Sequence, residues 1–276
     1  MRRVIVSADD FGLSEAVNEA VELAHRHGML TTTSLMVAGP AAADAIRRAR
    51  RLPGLRVGLH LVVIEGDAVQ PGAMPDIVDR QGRFPSDQLH LGLDYFFRPR
   101  VRRQLAAEIR AQYRAFAATG LRLDHANAHK HMHLHPTVGA QLIGIGLEHG
   151  LTAMRVPAEP PSVMQACNEP QGPGARLLFT WTRLLRHQGR RAGLRMNDWA
   201  FGIAWSGHMT TARLLQLAPL LPSGLSEVYF HPAVAQDAQL AALMPGYQQA
   251  AELAALVDPA VCAAFAAAAA PAGYCD

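Results

Sequence analysis

Hydrophobic positions along the chain follow two rhythms. Short apolar runs that end in small or polar residues alternate with stretches in which apolar residues recur every three or four positions. Val4-Ile5-Val6 is the first such run, and it leads into Ser7-Ala8-Asp9-Asp10-Phe11-Gly12. It reads as a buried parallel strand that delivers two carboxylates at its C-terminal end. Ser14 then caps a helix on which Ala16, Val17, Ala20, Val21 and Ala24 share a face, and Gly28 ends it. Residues 31–37 are β-branched and apolar, which predicts a second strand. Residues 40–52 predict a helix with its arginines outward, and 56–63 a third strand that holds His60.

The rhythm breaks over 64–100, where Gly, Pro and Asp are frequent and Phe84, Tyr95, Phe96 and Phe97 are scattered among them. A loop of this length in a compact domain is usually a lid or a binding wall. Helical spacing returns over 101–119, and the strand at 121–129 runs into Asn127-Ala128-His129-Lys130-His131-Met132-His133-Leu134-His135-Pro136. Side chains two apart on an extended strand share a face, so at least the first of these imidazoles point into one space. Neutral imidazole is the commonest side-chain ligand of a transition metal. The pattern predicts a mixture, with one histidine a ligand and the others neighbours or substrate contacts. Further helices are expected at 136–148, 175–187, 210–221 and within 247–270. A short strand at 153–156 carries Arg155, an irregular segment covers 157–174, and a late strand at 227–232 ends in His231. No repeat or linker divides residues 1–276, which read as one domain.

Strands alternating with helices at this spacing predict a parallel sheet, closed or partly closed into an α/β barrel. The strand ends of such a barrel converge on one face. They would collect Asp9, Asp10, His60, His129, Arg155 and His231 there. Neighbouring side chains alternate along a strand, so Asp9 and Asp10 should do different work, one binding a metal and the other acting as a base. An aspartate with two histidines and open positions suits Zn, Fe, Mn or Mg. Such an ion with a nearby base and acid hydrolyses amides or esters. No GxSxG, P-loop or GxGxxG segment is present, which removes support for serine hydrolase, kinase and dinucleotide chemistry.

Composition narrows this a little. The chain has 276 residues, 50% hydrophobic and 18% charged, enough for one α/β barrel. A formal net charge of +3 and few aromatic residues give no sign of a nucleic-acid partner. Three scattered cysteines fit a reducing compartment. The apolar run after Arg2-Arg3 is too short for a secretory signal, so a cytoplasmic protein is expected. Basic stretches at 98–103 and 183–195 read first as solvated faces; contact with the inner face of a membrane is the alternative. Phe96, Phe97, Trp181 and Trp199 read first as core, with an apolar groove as the alternative.

The segments Ser7-Ala8-Asp9-Asp10-Phe11-Gly12-Leu13-Ser14, Thr31-Thr32-Thr33-Ser34-Leu35-Met36, Gly58-Leu59-His60, the His129 stretch and Phe230-His231-Pro232-Ala233 together resemble the YdjC-like carbohydrate deacetylases. The match runs to about residue 235. The 127–136 stretch is most similar to the hopanoid-biosynthesis branch, and Asn127-Ala128 stands where better-known sugar deacetylases of the family have Asp-Ser. The resemblance implies an irregular (β/α) barrel of the glycoside hydrolase/deacetylase type. It implies one divalent ion, Zn or Mg, on Asp10, His60 and His129, with Asp9 as general base and His231 as general acid. Arg155, His131 and His133 are the expected substrate contacts. The implied substrate is an N-acetylglucosaminyl group on a hopanoid glycolipid. Soluble chito-oligosaccharide and a non-catalytic glycolipid-binding role are the alternatives. Peripheral membrane contact and a homo-oligomer remain open as partners.

Overall fold

The computed structural model describes residues 1–276. In chain order the elements are β1 (Arg2–Phe11), α1 (Glu15–His27), β2 (Thr32–Leu35), α2 (Ala42–Arg50), β3 (Arg56–Leu61), α3 (Gln88–Phe97), α4 (Pro99–Ala118) and β4 (Leu123–Ala128). They continue with α5 (Pro136–Glu148), β5 (Ala153–Met154), α6 (Pro161–Ala166), α7 (Pro173–Arg191), β6 (Arg195–Met196), β7 (Trp199–Phe201), α8 (Thr211–Leu217) and β8 (Gly224–Phe230). The last are α9 (Ala238–Leu243), α10 (Gln249–Val257), α11 (Pro259–Ala268) and β9 (Ala270–Pro271).

Every strand pairing is parallel, in the order β6-β5-β4-β3-β2-β1-β8-β7. The short β9 lies beside the start of β1, ahead of the point where β2 begins. β6 and β7 do not pair, and the gap between the sheet's two edges is laced otherwise. The Asn197 side chain accepts from the Val156 N–H and donates to the Val156 and Trp199 carbonyls, each at 2.8 Å, and the Ala200 N–H donates to Ala158 O at 3.0 Å. This is the expected irregular (β/α) barrel. Sixty-three buried side chains form its main apolar core. α1 shows how the helices join it. Ser14 Oγ accepts from the Val17 N–H at the start, and Val17, Ala20, Val21 and Ala24 are buried.

Two bulges set the geometry of the site. On β1, Ala8 pairs with Thr33 and Phe11 with Leu35, so Asp9 and Asp10 together stand opposite Ser34 alone. Asp10 takes the extra turn with φ of 62°, a left-handed conformation that aspartate tolerates better than most residues. On β4, Leu123 pairs with Val57 and Ala126 with Leu59, so Asp124 and His125 share the place opposite Gly58. A Cβ at Gly58 would lie 2.4 Å from the His125 ring and 2.7 Å from its carbonyl oxygen. The bulge brings Asn127 opposite His60.

Several expectations change. β4 stops at Ala128, and His129–Leu134 forms a tight helical turn in which Lys130 and His131 have φ of 50° and 53°. Two successive left-handed residues end the strand, so the four alternating histidines do not share one face. The irregular 64–100 segment contains α3, capped by the Asp87 carboxylate, and 157–174 contains α6. The expected helix at 247–270 divides where Asp258 caps Pro259–Ala268, and the two halves bend by 64°. No single helix is long and apolar enough to cross a membrane. β6, β7 and β9 are too short to leave a pattern.

Gly58→Ala is therefore expected to destabilise the protein by about 1–3 kcal/mol through overpacking against His125. It should also loosen the pairing of His60 with Asn127. Thermal denaturation measures the first effect, and a midpoint equal to that of the unaltered chain would show that the β4 bulge does not depend on this glycine.

Candidate metal centre and active site

Five neighbouring strands supply the site. β1 brings Asp9 and Asp10, β2 brings Ser34, β3 brings His60 and β4 brings Asn127, with His129 just beyond. β8 pairs with β1 up to Ala8 and Phe230, so His231 follows its end next to the aspartates. Asp9, Asp10, His60, His129, His131 and His231 all line one cavity of about 420 Å³. The bulge turns both carboxylates to that cavity, yet their surroundings differ.

Asp10 faces the two imidazoles. Its Oδ1 lies 3.2 Å from His60 Nε2 and 3.2 Å from His129 Nδ1, and the two nitrogens are 3.4 Å apart. Neither contact to the carboxylate has hydrogen-bond geometry, and both Asp10 oxygens are buried without a partner. Burial raises this carboxyl, and protonated imidazoles beside it would bring it well below the usual carboxylate range. His60 Nδ1 lies 2.7 Å from Asn127 Oδ1 and 3.1 Å from Ser34 Oγ. If Nδ1–H donates to Asn127, the Nε2 lone pair points at Asp10. A lone pair facing a carboxylate, with a second imidazole alongside, is a set that a cation completes. Ligand atoms about 2.1 Å from one ion stand roughly 3.0 Å apart at right angles and roughly 3.4 Å apart at tetrahedral angles. The observed triangle falls within those limits, so Asp10, His60 and His129 fit a divalent ion.

Asp9 is held by donors instead. Arg155 Nη1 and Nη2 donate to its two oxygens at 2.5 and 2.9 Å, Ser34 Oγ at 2.8 Å and Asn127 Nδ2 at 3.1 Å. Burial would raise the carboxyl, but the Arg155 guanidinium and then His60 keep it far below the usual range. Arg155 is itself fully buried and also pairs with Glu227, through Nε at 2.8 Å and Nη2 at 2.7 Å. Glu227 in turn accepts from Ser7 Oγ at 2.6 Å and from the Tyr274 hydroxyl near the C-terminus.

The remaining predicted residues divide. His231 lines the cavity between the Tyr229 and Tyr247 rings, and Glu252 accepts its backbone N–H at 2.5 Å. His131 lines it too. Its Nε2 meets the Tyr229 hydroxyl at 3.0 Å while Nδ1 has no partner, and burial followed by the Arg155 charge pushes it down to about 3. It is therefore a neutral imidazole with one nitrogen free. Arg155 and His133 do not line the cavity, so the substrate contact expected of them is not what this geometry offers. Arg155 lies behind Asp9, and His133 Nε2 is buried 3.2 Å from the Arg155 carbonyl. His135 packs on Tyr95 and Phe96.

Ser34, Asn127, Glu227, Tyr229, Tyr247, His208 and Glu252 had no assigned role. Glu227 left one usable signal, a lone acid in the apolar run of β8, which had to have a buried cation as partner. Glu252, inside an alanine-rich helix, left none.

The description "YdjC-like protein" belongs to the family whose pattern matches residues 3–267. A carbohydrate deacetylase of Brevibacillus brevis is 39% identical over 136 residues, 49% of this chain and 52% of its own length. A chitooligosaccharide deacetylase of Serratia marcescens is 33% identical over 142 residues, 49% of this chain and 52% of its own. The chain thus spans about half the length of the curated relatives it matches. A crystal structure from Enterococcus faecalis, described as a candidate cellobiose-phosphate cleavage protein, superposes with a TM-score of 0.76 at 23% identity. It covers 99% of this chain and 97% of its own, which establishes the shared fold. Since the family match takes in β1 through α11 and every residue of the cavity, the chain belongs to the YdjC-like protein family.

Proposed function

We propose that the protein is a metal-dependent carbohydrate N-deacetylase. The observation that carries this reading is the triangle of Asp10, His60 and His129, unpartnered at the carboxylate and sharing one cavity with Asp9 and His231. The relatives named as deacetylases support the same reaction class. A divalent ion on that triangle supplies Lewis-acid polarisation of the amide carbonyl and acidifies water.

The chain's own residues do the rest. Asp9 is the general base. Its four donors keep it ionised and fix its direction, and they also make it a weak base. It therefore orients the attacking water and holds the water's proton only transiently, that proton going back to His231 to replace the one the acid gives to the leaving nitrogen. His231 is the general acid and gives a proton to the leaving nitrogen. Tyr229 and Tyr247 flank its ring, and the Glu252 contact holds its backbone. His131, on the cavity wall and held by the Tyr229 hydroxyl, is the side chain we assign to face the sugar. The products are acetate and a free amine.

A phosphoester substrate fits less well. Lys130 is the cation on the cavity wall and is already paired with Glu65 at 2.5 Å, while Arg155 is committed to Asp9 and Glu227. A purely binding role leaves several buried ionisable groups unexplained. For the acceptor we take an N-acetylglucosaminyl group on a hopanoid glycolipid, supported by the 127–136 stretch. A lipid-borne sugar requires that the protein meet a bilayer. Soluble chito-oligosaccharide is the alternative, supported by the Serratia marcescens relative.

Acetate release from an N-acetylglucosaminyl lipid and from chito-oligosaccharide, with and without chelator, tests the reading. Release should stop with chelator. Asp9→Asn should bind the metal and be inactive, and Asp10→Ala should lose the metal. Full activity in both variants would reject the assignment. Asn127→Ala should weaken metal affinity about 10–100-fold, because His60 loses the partner that orients it. Competition titration against a chromogenic chelator measures this, and unchanged affinity would remove Asn127 from the account.

A further inference from the structure

Exposed large hydrophobic side chains are not spread evenly over this surface. Leu89, Leu93, Phe96 and Phe97 stand out from α3, and Leu177, Trp181 and Leu184 from α7. Leu89 is 76% exposed, Phe97 69% and Leu177 69%. Between the two helices lies an apolar groove of about 730 Å³, floored by the turn that follows β4. Lys130 and His131 line both this groove and the catalytic cavity, so the two are neighbours across a single turn of chain.

Charge around the patch is predominantly positive, with Asp94 on α3 and Asp87 at its start as the acids. α7 carries five arginines and no acidic residue. The stretch 98–103 that follows α3 carries four arginines and no acidic residue, in a chain whose formal net charge is only +3. Arg98 and Arg100 are paired with Asp94 and Asp76, whereas Arg102, Arg103, Arg176 and Arg183 are exposed without a salt-bridge partner. Apolar side chains at the centre with arginines at the rim match the profile of a bilayer whose headgroups are anionic. A second copy of the chain fits worse, because it would bring the same arginines face to face.

We propose that the α3–α7 face docks on an anionic phospholipid bilayer, with Phe96, Phe97, Leu177 and Trp181 entering the headgroup region. The cavity mouth then lies beside the membrane surface, where a lipid-borne sugar can reach it across Lys130 and His131. That purpose rests on the deacetylase reading, whereas the docking itself does not.

Vesicle flotation of the full chain tests the docking. With roughly 30% anionic phosphatidylglycerol the protein should float, and with phosphatidylcholine alone it should bind at least about 10-fold more weakly. Raising salt to about 0.5 M should release it by screening the arginines. Phe96→Ser with Phe97→Ser, and separately Arg176→Glu with Arg183→Glu, should each weaken binding about 10-fold or more, with acetate release from soluble chito-oligosaccharide unchanged. Absence of flotation on anionic vesicles overturns the proposal, as does equal binding to both vesicle types. A dimer that the Phe96→Ser and Phe97→Ser substitutions dissolve would assign the face to a second copy instead. If the unaltered chain floats but releases no acetate from either substrate, the docking stands and the deacetylase reading falls.

Discussion

Two carboxylates lie side by side at the end of β1, and water reaches almost none of either, with Asp9 2% and Asp10 1% exposed. Each needs compensating positive charge, because an unpaired buried ion is among the costliest features a fold can carry. Asp9 obtains it from Arg155, a permanent guanidinium in the bidentate geometry that suits a carboxylate. Asp10 has only two imidazoles and no hydrogen bond. The asymmetry is the central feature of the site. One carboxylate is neutralised by the chain itself, and the other forms with two imidazoles a set that could hold a metal ion.

The Arg155 arrangement extends far behind the cavity. Arg155 is shared with Glu227, and Glu227 is held by Ser7 and Tyr274, so the C-terminal tail helps fix Asp9 at the end of β1. Removing one member of such a buried network typically costs about 3–5 kcal/mol, because the remaining charge is left unpaired. Ser34 and Asn127 act on a smaller scale. Each touches both Asp9 and His60, so the orientations of that carboxylate and that imidazole are set by the same two side chains.

Much of this was readable in the sequence. Asp9, Asp10, His60, His129 and His231 fall at or near the ends of apolar runs, and a parallel barrel brings such ends together whatever the details of its loops. Of the long interruption at 64–100 only Glu65 lines the cavity, and its helix α3, hidden among scattered aromatics, borders the neighbouring apolar groove instead. The histidine stretch misled in a specific way. Alternation suggests a strand, but left-handed backbone at Lys130 and His131 has no signature in residue type, and it sends His129 and His131 to the cavity and His133 behind it. Arg155 misled for another reason. A lone arginine at a strand end looks like a substrate contact until Glu227, 72 positions later, is seen beside it. Long-range pairings of single charges, and one-residue bulges such as those at Asp10 and His125, are fixed by packing and leave no periodic trace.

The most direct test of the account is metal-edge X-ray absorption on the zinc-loaded protein, compared with His60→Ala and His129→Ala. The account predicts one ion per chain with two imidazole ligands, and the loss of one imidazole in each variant. An absorption spectrum that shows no imidazole in the unaltered protein, or one that neither substitution changes, would contradict it.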